Sequence, residues 1–317
     1  MDSTEIIRHT AGKHPRQWEG HMAMFIANIL WGVMSPVAKV VMQEGTITGI
    51  TLSSLRILGG TLLFLIASIL PSRVTGDVSV ERRDIWKLFL ASVIMISANQ
   101  GLFIIGISYT APIDTAVMCT TTPVFTLILS AIFIGMPMTP LKVAGVALGI
   151  AGALILSLYG AESEIASNPM LGDMLCLGAQ ICAAVYYVFF LGIIRKYPPF
   201  TLMKWMFLFS SLSWVPCTLP WLTDTDWSAV SFDSWMSIAY IAIFPTFIAY
   251  MLIPFSQKRL KPTMVSMYAY LQPVSAAILA AIIGLEIFGP IKGLASLLIF
   301  AGVACVSMAT SDTRRKA

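Results

Sequence analysis

The chain contains one segment twice. Residues 109–157 align without a gap with residues 259–307, at a constant shift of 150 positions. Three prolines, a lysine and a glycine coincide in this alignment, which apolar composition alone would seldom produce: Pro112 with Pro262, Pro123 with Pro273, Pro140 with Pro290, Lys142 with Lys292, and Gly152 with Gly302. An internal repeat of this kind restricts the fold to two similar units.

Apolar segments of about 20 residues, long enough for a helix to cross a roughly 30 Å hydrocarbon core, recur along the chain. The chain is 57% hydrophobic and only 11% charged, whereas soluble domains carry roughly 25% charged residues. We predict an all-α integral membrane protein with ten transmembrane helices, near 21–42, 47–70, 86–108, 112–135, 141–160, 172–194, 201–222, 234–256, 262–285 and 290–310.

The distribution of Lys and Arg predicts the orientation of these helices. If the amino terminus is cytoplasmic, all but three of the 20 Lys and Arg residues fall in cytoplasmic segments. Of the three, Lys292 lies in an outside loop, and Lys39 and Arg56 lie within helices. Because cytoplasmic loops of membrane proteins carry the excess of positive charge, we expect both termini on the cytoplasmic side of a bacterial inner (plasma) membrane.

The helix count also predicts how the two units are related. Each repeat holds five helices, an odd number, so the second repeat enters the membrane with the opposite orientation. Two inverted five-helix repeats are typical of alternating-access carriers. The predicted division is a cytoplasmic tail (1–20), a first repeat (21–160), an outside linker (161–171), a second repeat (172–310) and a cytoplasmic tail (311–317).

Short motifs follow one another in a specific order. The first repeat has Asn28-Ile-Leu-Trp31-Gly32, Ser108-Tyr109-Thr110-Ala111 and Pro123-Val124-Phe125, and the second has Leu271-Gln272-Pro273-Val274 before Glu286. In this order the chain, from about residue 20 onward, resembles the EamA-type permeases of the drug/metabolite transporter superfamily. The resemblance implies a ten-helix carrier of small metabolites, frequently an exporter. The first repeat has Met136 where the family commonly has a glutamate, so any role of that glutamate is absent here.

Amide and aromatic side chains lie near the middle of several predicted helices. Polar groups at the bilayer centre are costly unless they face protein or water, and they often mark transport pathways. Hydrogen bonding between helices is the alternative interpretation. We predict a central cavity for a small polar or amphipathic metabolite, lined by Asn28, Trp31, Asn99, Gln100, Gln180, Tyr250, Tyr270 and Gln272.

Pro123 and Pro273 lie about 11 residues into their predicted helices, or roughly 16 Å at 1.5 Å per residue. Proline removes a helical hydrogen bond, so we expect both helices to bend around the central cavity. A kink within a tight bundle is the alternative.

Three charged residues are candidates for gating. Lys39 lies near the outer end of the first helix, where its side chain can extend to the interface. Arg56 lies deeper in the second helix, and its guanidinium keeps its charge. Arg56 therefore needs an acid, carbonyl groups, water or an anionic substrate group as its partner, and Asp114 is the candidate acid. We expect Arg56 to order the outer gate or to help neutralise a substrate carboxylate.

The sequence also excludes several classes of protein. It contains no G-x-x-x-x-G-K-[ST] loop and no H-E-x-x-H motif, and the five cysteines fit neither a disulfide framework nor a zinc site. We expect no catalytic residues, no metal, no cofactor and no nucleic-acid partner. We expect a secondary transporter in the lipid bilayer that exports a small molecule, such as an amino acid, by alternating access. A multidrug or organic-cation efflux carrier, a non-transporting sensor or structural protein, and a homodimer stay open.

Overall fold

The computed structural model describes residues 17–134, 139–159, 166–260, 262–284 and 289–315 of the 317-residue chain. Helix is the only regular secondary structure in these ranges. The longer helices are α1 (Gln17–Gln43), α2 (Gly49–Ala67), α3 (Arg82–Tyr109), α4 (Pro112–Cys119 and Thr122–Ile134), α5 (Pro140–Tyr159), α6 (Pro169–Phe189), α7 (Pro199–Asp224), α8 (Phe232–Gln257), α9 (Pro262–Met267, Tyr268–Tyr270 and Leu271–Ile282) and α10 (Pro290–Arg315). Two short helices, Ser72–Thr75 and Leu191–Lys196, lie in connecting segments.

Six of these helices are long and apolar enough to cross a membrane: α1, α2, α3, α4, α6 and α8, which have 19 to 28 residues each. Each predicted apolar segment overlaps one of the longer helices, so the all-helical fold is confirmed for the described ranges. The number of crossings stays a prediction. The family positions at Met136 and Glu286 lie outside the described residues.

The distribution of polar and apolar side chains is the reverse of that in a soluble protein. Leu62, Ile132 and Leu297 are each more than half exposed. Arg56 and Asp173 are buried, although charged residues are almost never fully buried in soluble domains. An apolar exterior around polar residues suits hydrocarbon as the surrounding solvent. The chain is therefore a multi-pass membrane protein.

Proline and capping side chains determine where the helices begin. Proline is the first residue of α4, α5, α6, α7, α9 and α10, a position where its missing N–H breaks no helical hydrogen bond. The Thr48 hydroxyl accepts a hydrogen bond from the Thr51 N–H before α2, at 3.1 Å. The Asn168 side chain accepts one from the Leu171 N–H before α6, at 3.3 Å. These groups satisfy donors that a helix start leaves unpaired.

The helices depart from α-helical geometry at equivalent places in the two repeats. π-helical turns occupy Val93–Ala98 in α3 and Ala242–Ile248 in α8. The chain leaves the helix at 120–121 in α4, and a 3₁₀ turn occupies Tyr268–Tyr270 in α9. The shift of 150 residues brings each pair into overlap. π-helical turns frequently lie at functional sites. The shared geometry therefore indicates that a functional site lies near the centres of these helices.

The interruption in α4 is stabilised by threonine side chains. The hydroxyls of Thr120 and Thr121 each donate to the carbonyl three residues earlier, at 2.6 and 2.7 Å, and the Thr122 hydroxyl lies 2.8 Å from the Cys119 carbonyl oxygen. Pro123 follows as the second residue of the next helical piece, and Pro273 follows the 3₁₀ turn of α9. Each proline therefore stands beside a break in its helix and not in a smooth bend; a hinge at these places stays a prediction.

Helices from the two repeats interleave. α1 packs against α8 and α9, α6 packs against α3 and α4, α2 packs against α7, and α5 packs against α10. At several contacts between the repeats, glycine is required because the backbones nearly touch. A Cβ added at Gly32 would lie 2.6 Å from the Gln272 carbonyl oxygen, and one at Gly302 would lie 2.5 Å from the Gly145 carbonyl oxygen. The centre of the molecule is therefore built from both repeats.

Connecting segments meet in pairs at the ends of the bundle. Lys196, in the segment between α6 and α7, forms ion pairs with Glu81 at 2.7 Å and with Asp84 at 2.5 Å. Hydrogen bonds from Lys196 and then Arg83 hold the pKa of the Glu81 carboxyl below its ordinary value. The α2–α3 and α6–α7 segments therefore lie at the same end of the bundle.

Candidate functional site

A cavity lies where the interleaved helices converge. About 60 Å³ of it is open to the centres of water molecules, and one ordered water needs roughly 10–15 Å³ on this measure. The cavity therefore has room for several waters or one small solute. We call it the central cavity. Its polar and aromatic lining consists of Asn28, Trp31, Arg56, Asn99, Gln100, Phe103, Thr122, Gln180, Tyr187, Tyr250, Ser266 and Gln272.

Two hydrogen-bonded pairs occupy equivalent positions in the two repeats. The Gln272 amide of α9 donates to the Asn28 side-chain oxygen of α1 at 2.7 Å. The Thr122 hydroxyl of α4 donates to the Gln180 side-chain oxygen of α6 at 2.7 Å, and Thr122 and Gln272 are 150 residues apart. The amides of Asn28 and Gln180 each also donate to the carbonyl four residues earlier. The two repeats therefore place similar hydrogen-bonded pairs at equivalent positions in the cavity.

An aromatic wall stands beside these pairs. The Trp31 indole N–H donates to the Pro245 carbonyl oxygen in the π-helical turn of α8, at 2.8 Å. The Trp31 and Tyr250 rings meet edge to face, with centroids 5.7 Å apart. The edge-to-face contact and the hydrogen bond of the indole N–H together fix the ring of Trp31 in one orientation. The wall is thus rigid and contributes flat apolar surface.

Arg56 places a cation at the cavity. Its side chain is buried, and its Nε donates to the Thr246 hydroxyl at 3.1 Å. That hydroxyl in turn donates to the Ile241 carbonyl oxygen at 2.7 Å. Within the described ranges, no carboxylate lies at ion-pair distance from Arg56, so the expectation of Asp114 as its partner is wrong.

Gln100 contributes a buried amide to the cavity. Its side chain makes no well-formed hydrogen bond to a described residue, and the Tyr250 hydroxyl is its polar neighbour. The neighbouring Asn99 amide donates to the Ala179 carbonyl oxygen at 2.6 Å. An amide side chain has two N–H donors and one oxygen acceptor, so one contact with Tyr250 leaves hydrogen-bonding positions of Gln100 for a solute or water to fill.

The remaining predicted residues lie elsewhere. Tyr270 does not line the cavity; its ring packs edge to face against Phe300, with centroids 5.9 Å apart. Lys39 is buried, and its ammonium donates to three carbonyl oxygens where α3 ends: Ile107, Ser108 and Thr110. Its extension to the membrane interface stays a prediction. Asp114 is buried in the first turn of α4.

Tyr187 and Thr246 are among the contributors that were not predicted from the sequence. Tyr187 lines the cavity seven residues after Gln180, a spacing of two helical turns that places both side chains on one face and would have indicated it. Thr246 holds Arg56 through a contact between α2 and α8, for which no sequence pattern gives a signal. Among the described residues, no group of three or more His, Cys, Asp or Glu side chains could hold a metal ion.

Comparison with known proteins agrees with the repeat. The EamA-like transporter family matches the chain twice, over residues 18–158 and 170–308. The uncharacterized transporter YetK of Bacillus subtilis is 24% identical over 78% of this chain and 75% of its own length. The uncharacterized inner membrane transporter YedA of Escherichia coli is 24% identical over 90% of both chains.

Two further comparisons bear on function and on fold. A probable terminal-alkyne amino-acid exporter of Streptantibioticus cattleyicolor is 22% identical over 93% of this chain and 95% of its own length. One crystal structure, 17% identical, superposes with a TM-score of 0.67 over 93% of this chain and 98% of the other, and supports the fold alone. The two family matches cover most of the chain and confirm the resemblance in its motifs. The chain therefore belongs to the EamA-like transporter family, whose members are transporters and not enzymes.

Proposed function

We propose that the protein is a secondary transporter that exports a small metabolite, such as an amino acid or a related compound, by alternating access through the central cavity. The observation that carries this proposal is the cavity itself. It is polar, it lies inside an apolar bundle, and side chains from both repeats line it. A pathway for solute needs polar groups that face protein or water at membrane depth.

The proposal includes ten crossings in two inverted repeats. Thr110 and Leu260 are equivalent, being 150 residues apart. Lys39 near the end of α1 donates to the Thr110 carbonyl oxygen, whereas Leu260 lies beside Gly20 near the start of α1. The 19 residues between Gly20 and Lys39 correspond to roughly 28 Å of helix, about the thickness of the hydrocarbon core. Equivalent positions at opposite ends of one helix support inversion.

The breaks in α4 and α9 provide a route to alternating access. Both interruptions adjoin the cavity, since Thr122 and Gln272 lie directly beyond them. Movement at Pro123 and Pro273 would tilt one part of each helix relative to the part on the other side of its break. The cavity would then open first to one side of the membrane and then to the other. Interrupted helices of this kind form the substrate sites of many carriers with inverted repeats.

Counterflow in proteoliposomes tests the proposal. Vesicles loaded with an unlabelled solute should accumulate the labelled solute in a saturable manner when the solute is a small amino acid or organic acid. Gln272→Ala should reduce the rate about tenfold, because it removes a hydrogen bond from the cavity.

The matched control is Ser53→Ala. Ser53 is buried on α2, does not line the cavity and makes no hydrogen bond to a described residue, so this variant should keep the wild-type rate. Counterflow of tetraphenylphosphonium alone would favour organic-cation efflux. No counterflow by folded, inserted protein would favour a sensor or structural role.

A further inference from the structure

We propose that the central cavity selects solutes that carry one carboxylate, with Arg56 as the group that binds it, and that it rejects organic cations. This inference rests on the proposed transport function and names its substrate class. It begins from the charges that line the cavity. Among the described lining residues, Arg56 is the one cation, and no Asp or Glu is present. The net fixed charge of the described lining is therefore positive.

The guanidinium has donors available for a ligand. Its Nε is engaged by Thr246, while no described residue accepts a hydrogen bond from its terminal amino groups. A buried guanidinium keeps its charge and needs an acceptor. Two N–H groups of a guanidinium match the two oxygens of a carboxylate in a bidentate pair. A carboxylate would satisfy both the charge and the geometry of Arg56.

The orientation of Arg56 is fixed before any ligand arrives. The Thr246 hydroxyl accepts from Arg56 and donates to the Ile241 carbonyl oxygen. Pro245 contributes no N–H within this turn, and the turn is π-helical. A side chain that is already held in place loses little conformational entropy when it binds, so binding is stronger.

Gln100 supplies the second polar contact. Both of its side-chain polar atoms are buried without a well-formed hydrogen bond to a described residue, and its contact with the Tyr250 hydroxyl leaves donors of the amide group available. Its N–H groups can donate to a carboxylate, and its oxygen can accept from an ammonium group, as an amino acid would require. The ammonium group is not essential, because no carboxylate lines the described cavity to pair with it.

The rest of the wall limits size and charge. Trp31, Tyr187 and Tyr250 provide apolar faces for a side chain, and the volume admits a small solute. A phosphate carries more negative charge than one guanidinium neutralises and usually requires additional cations. A quaternary or primary amine without a carboxylate would face Arg56 and be repelled by it.

Four related solutes of similar size test the inference: leucine, leucinamide, 4-methylpentanoate and 3-methylbutylamine. Their binding to purified protein is measured by the shift in thermal unfolding as a function of solute concentration. Leucine and 4-methylpentanoate should bind at least tenfold tighter than the two solutes without a carboxylate. Arg56→Gln should remove this preference, and Arg56→Lys should keep it with about tenfold weaker binding, because an ammonium cannot form the bidentate pair.

Ser53→Ala should bind all four solutes as the wild type does, since Ser53 lies on α2 three residues before Arg56 but does not line the cavity. Four results would overturn the inference. In the wild type, these are equal binding of leucinamide and leucine, or no binding of either carboxylate. In the variants, they are an unchanged preference for carboxylates in Arg56→Gln, or an unchanged affinity in Arg56→Lys. Counterflow of the same solutes separates the two proposals. Binding without counterflow contradicts transport alone, and counterflow without preference contradicts the role of Arg56 alone.

Discussion

At the scale of single residues, the two repeats satisfy their buried amide side chains with the same kinds of hydrogen bond. An amide buried at membrane depth must have partners, and each half supplies them by one contact within a helix and one contact to the other half. Asn28 is paired with Gln272, and Gln180 with Thr122. These pairs tie α1 to α9 and α6 to α4, so the polar groups that line the cavity also hold its walls together.

The pair of Asn28 and Gln272 can be tested by a double-mutant cycle. Either single change to Ala leaves one buried polar group without its partner, so the two changes together should cost less than their sum. We expect a coupling free energy of about 0.6 kcal/mol and at most about 1.7 kcal/mol, the mean and the maximum for hydrogen bonds between membrane helices. Unfolding in mixed micelles of SDS measures it. The combination of Asn28→Ala with Thr122→Ala, which are not partners, should be nearly additive. Strict additivity of the first pair would contradict its role.

The cavity residues that could be predicted from the sequence are polar side chains near the middle of apolar helices. Asn28, Gln180 and Gln272 are amides in the middle of apolar runs, and each lines the cavity. Tyr270 has the same depth but lies in a 3₁₀ turn, whose residues point in directions that an α-helical pattern does not predict. The support of Arg56 by Thr246 depends on how α2 and α8 pack, which periodicity does not encode.

At the scale of helices, close approach between backbones determines the packing of the two repeats. α5 and α10 pack together where Gly302 faces Gly145 and Gly149. Small residues of this kind let membrane helices approach until their backbones touch. The matching of Gly152 and Gly302 in the sequence indicated a repeat, but the glycine that meets Gly302 is a different one, because the contact joins helices of opposite repeats.

Gly302→Ala should destabilise the protein by about 1–3 kcal/mol, as overpacking does. The added Cβ would lie 2.5 Å from the Gly145 carbonyl oxygen and 2.7 Å from the Gly149 nitrogen, and backbone atoms yield only if the helices separate. Thermal unfolding in detergent measures the effect. Gly192→Ala is the control, since its Cβ would meet nothing within 4 Å. Equal stability of both variants would contradict the close packing.

At the scale of the whole molecule, the sequence predicted the architecture better than the site. The bilayer requires apolar residues along the whole length of each helix, so the helices are visible as long apolar segments. A duplication copies a whole segment, so it is visible as a match at a constant shift. The π-helical turns at Val93–Ala98 and Ala242–Ile248 were not predicted, because a single extra residue in a helical turn leaves no clear mark on an apolar sequence. Those turns precede Gln100 and Tyr250 and therefore help to shape the cavity.

In a carrier of this kind, the central cavity opens to each side of the membrane in turn. Cys119 lines the cavity and is buried, so a chain that keeps Cys119 and replaces Cys176, Cys182, Cys217 and Cys305 with Ser carries a native reporter. A membrane-impermeant methanethiosulfonate is applied to one face of oriented vesicles at a time. A second chain, with Ser228→Cys in an exposed connection as its one cysteine, controls for leakage and should react from one face only.

We predict that Cys119 reacts from both faces and that leucine slows the reaction from each. Reaction from one face only, or from neither, in vesicles that still carry out counterflow would contradict the claim that this cavity is the transport pathway.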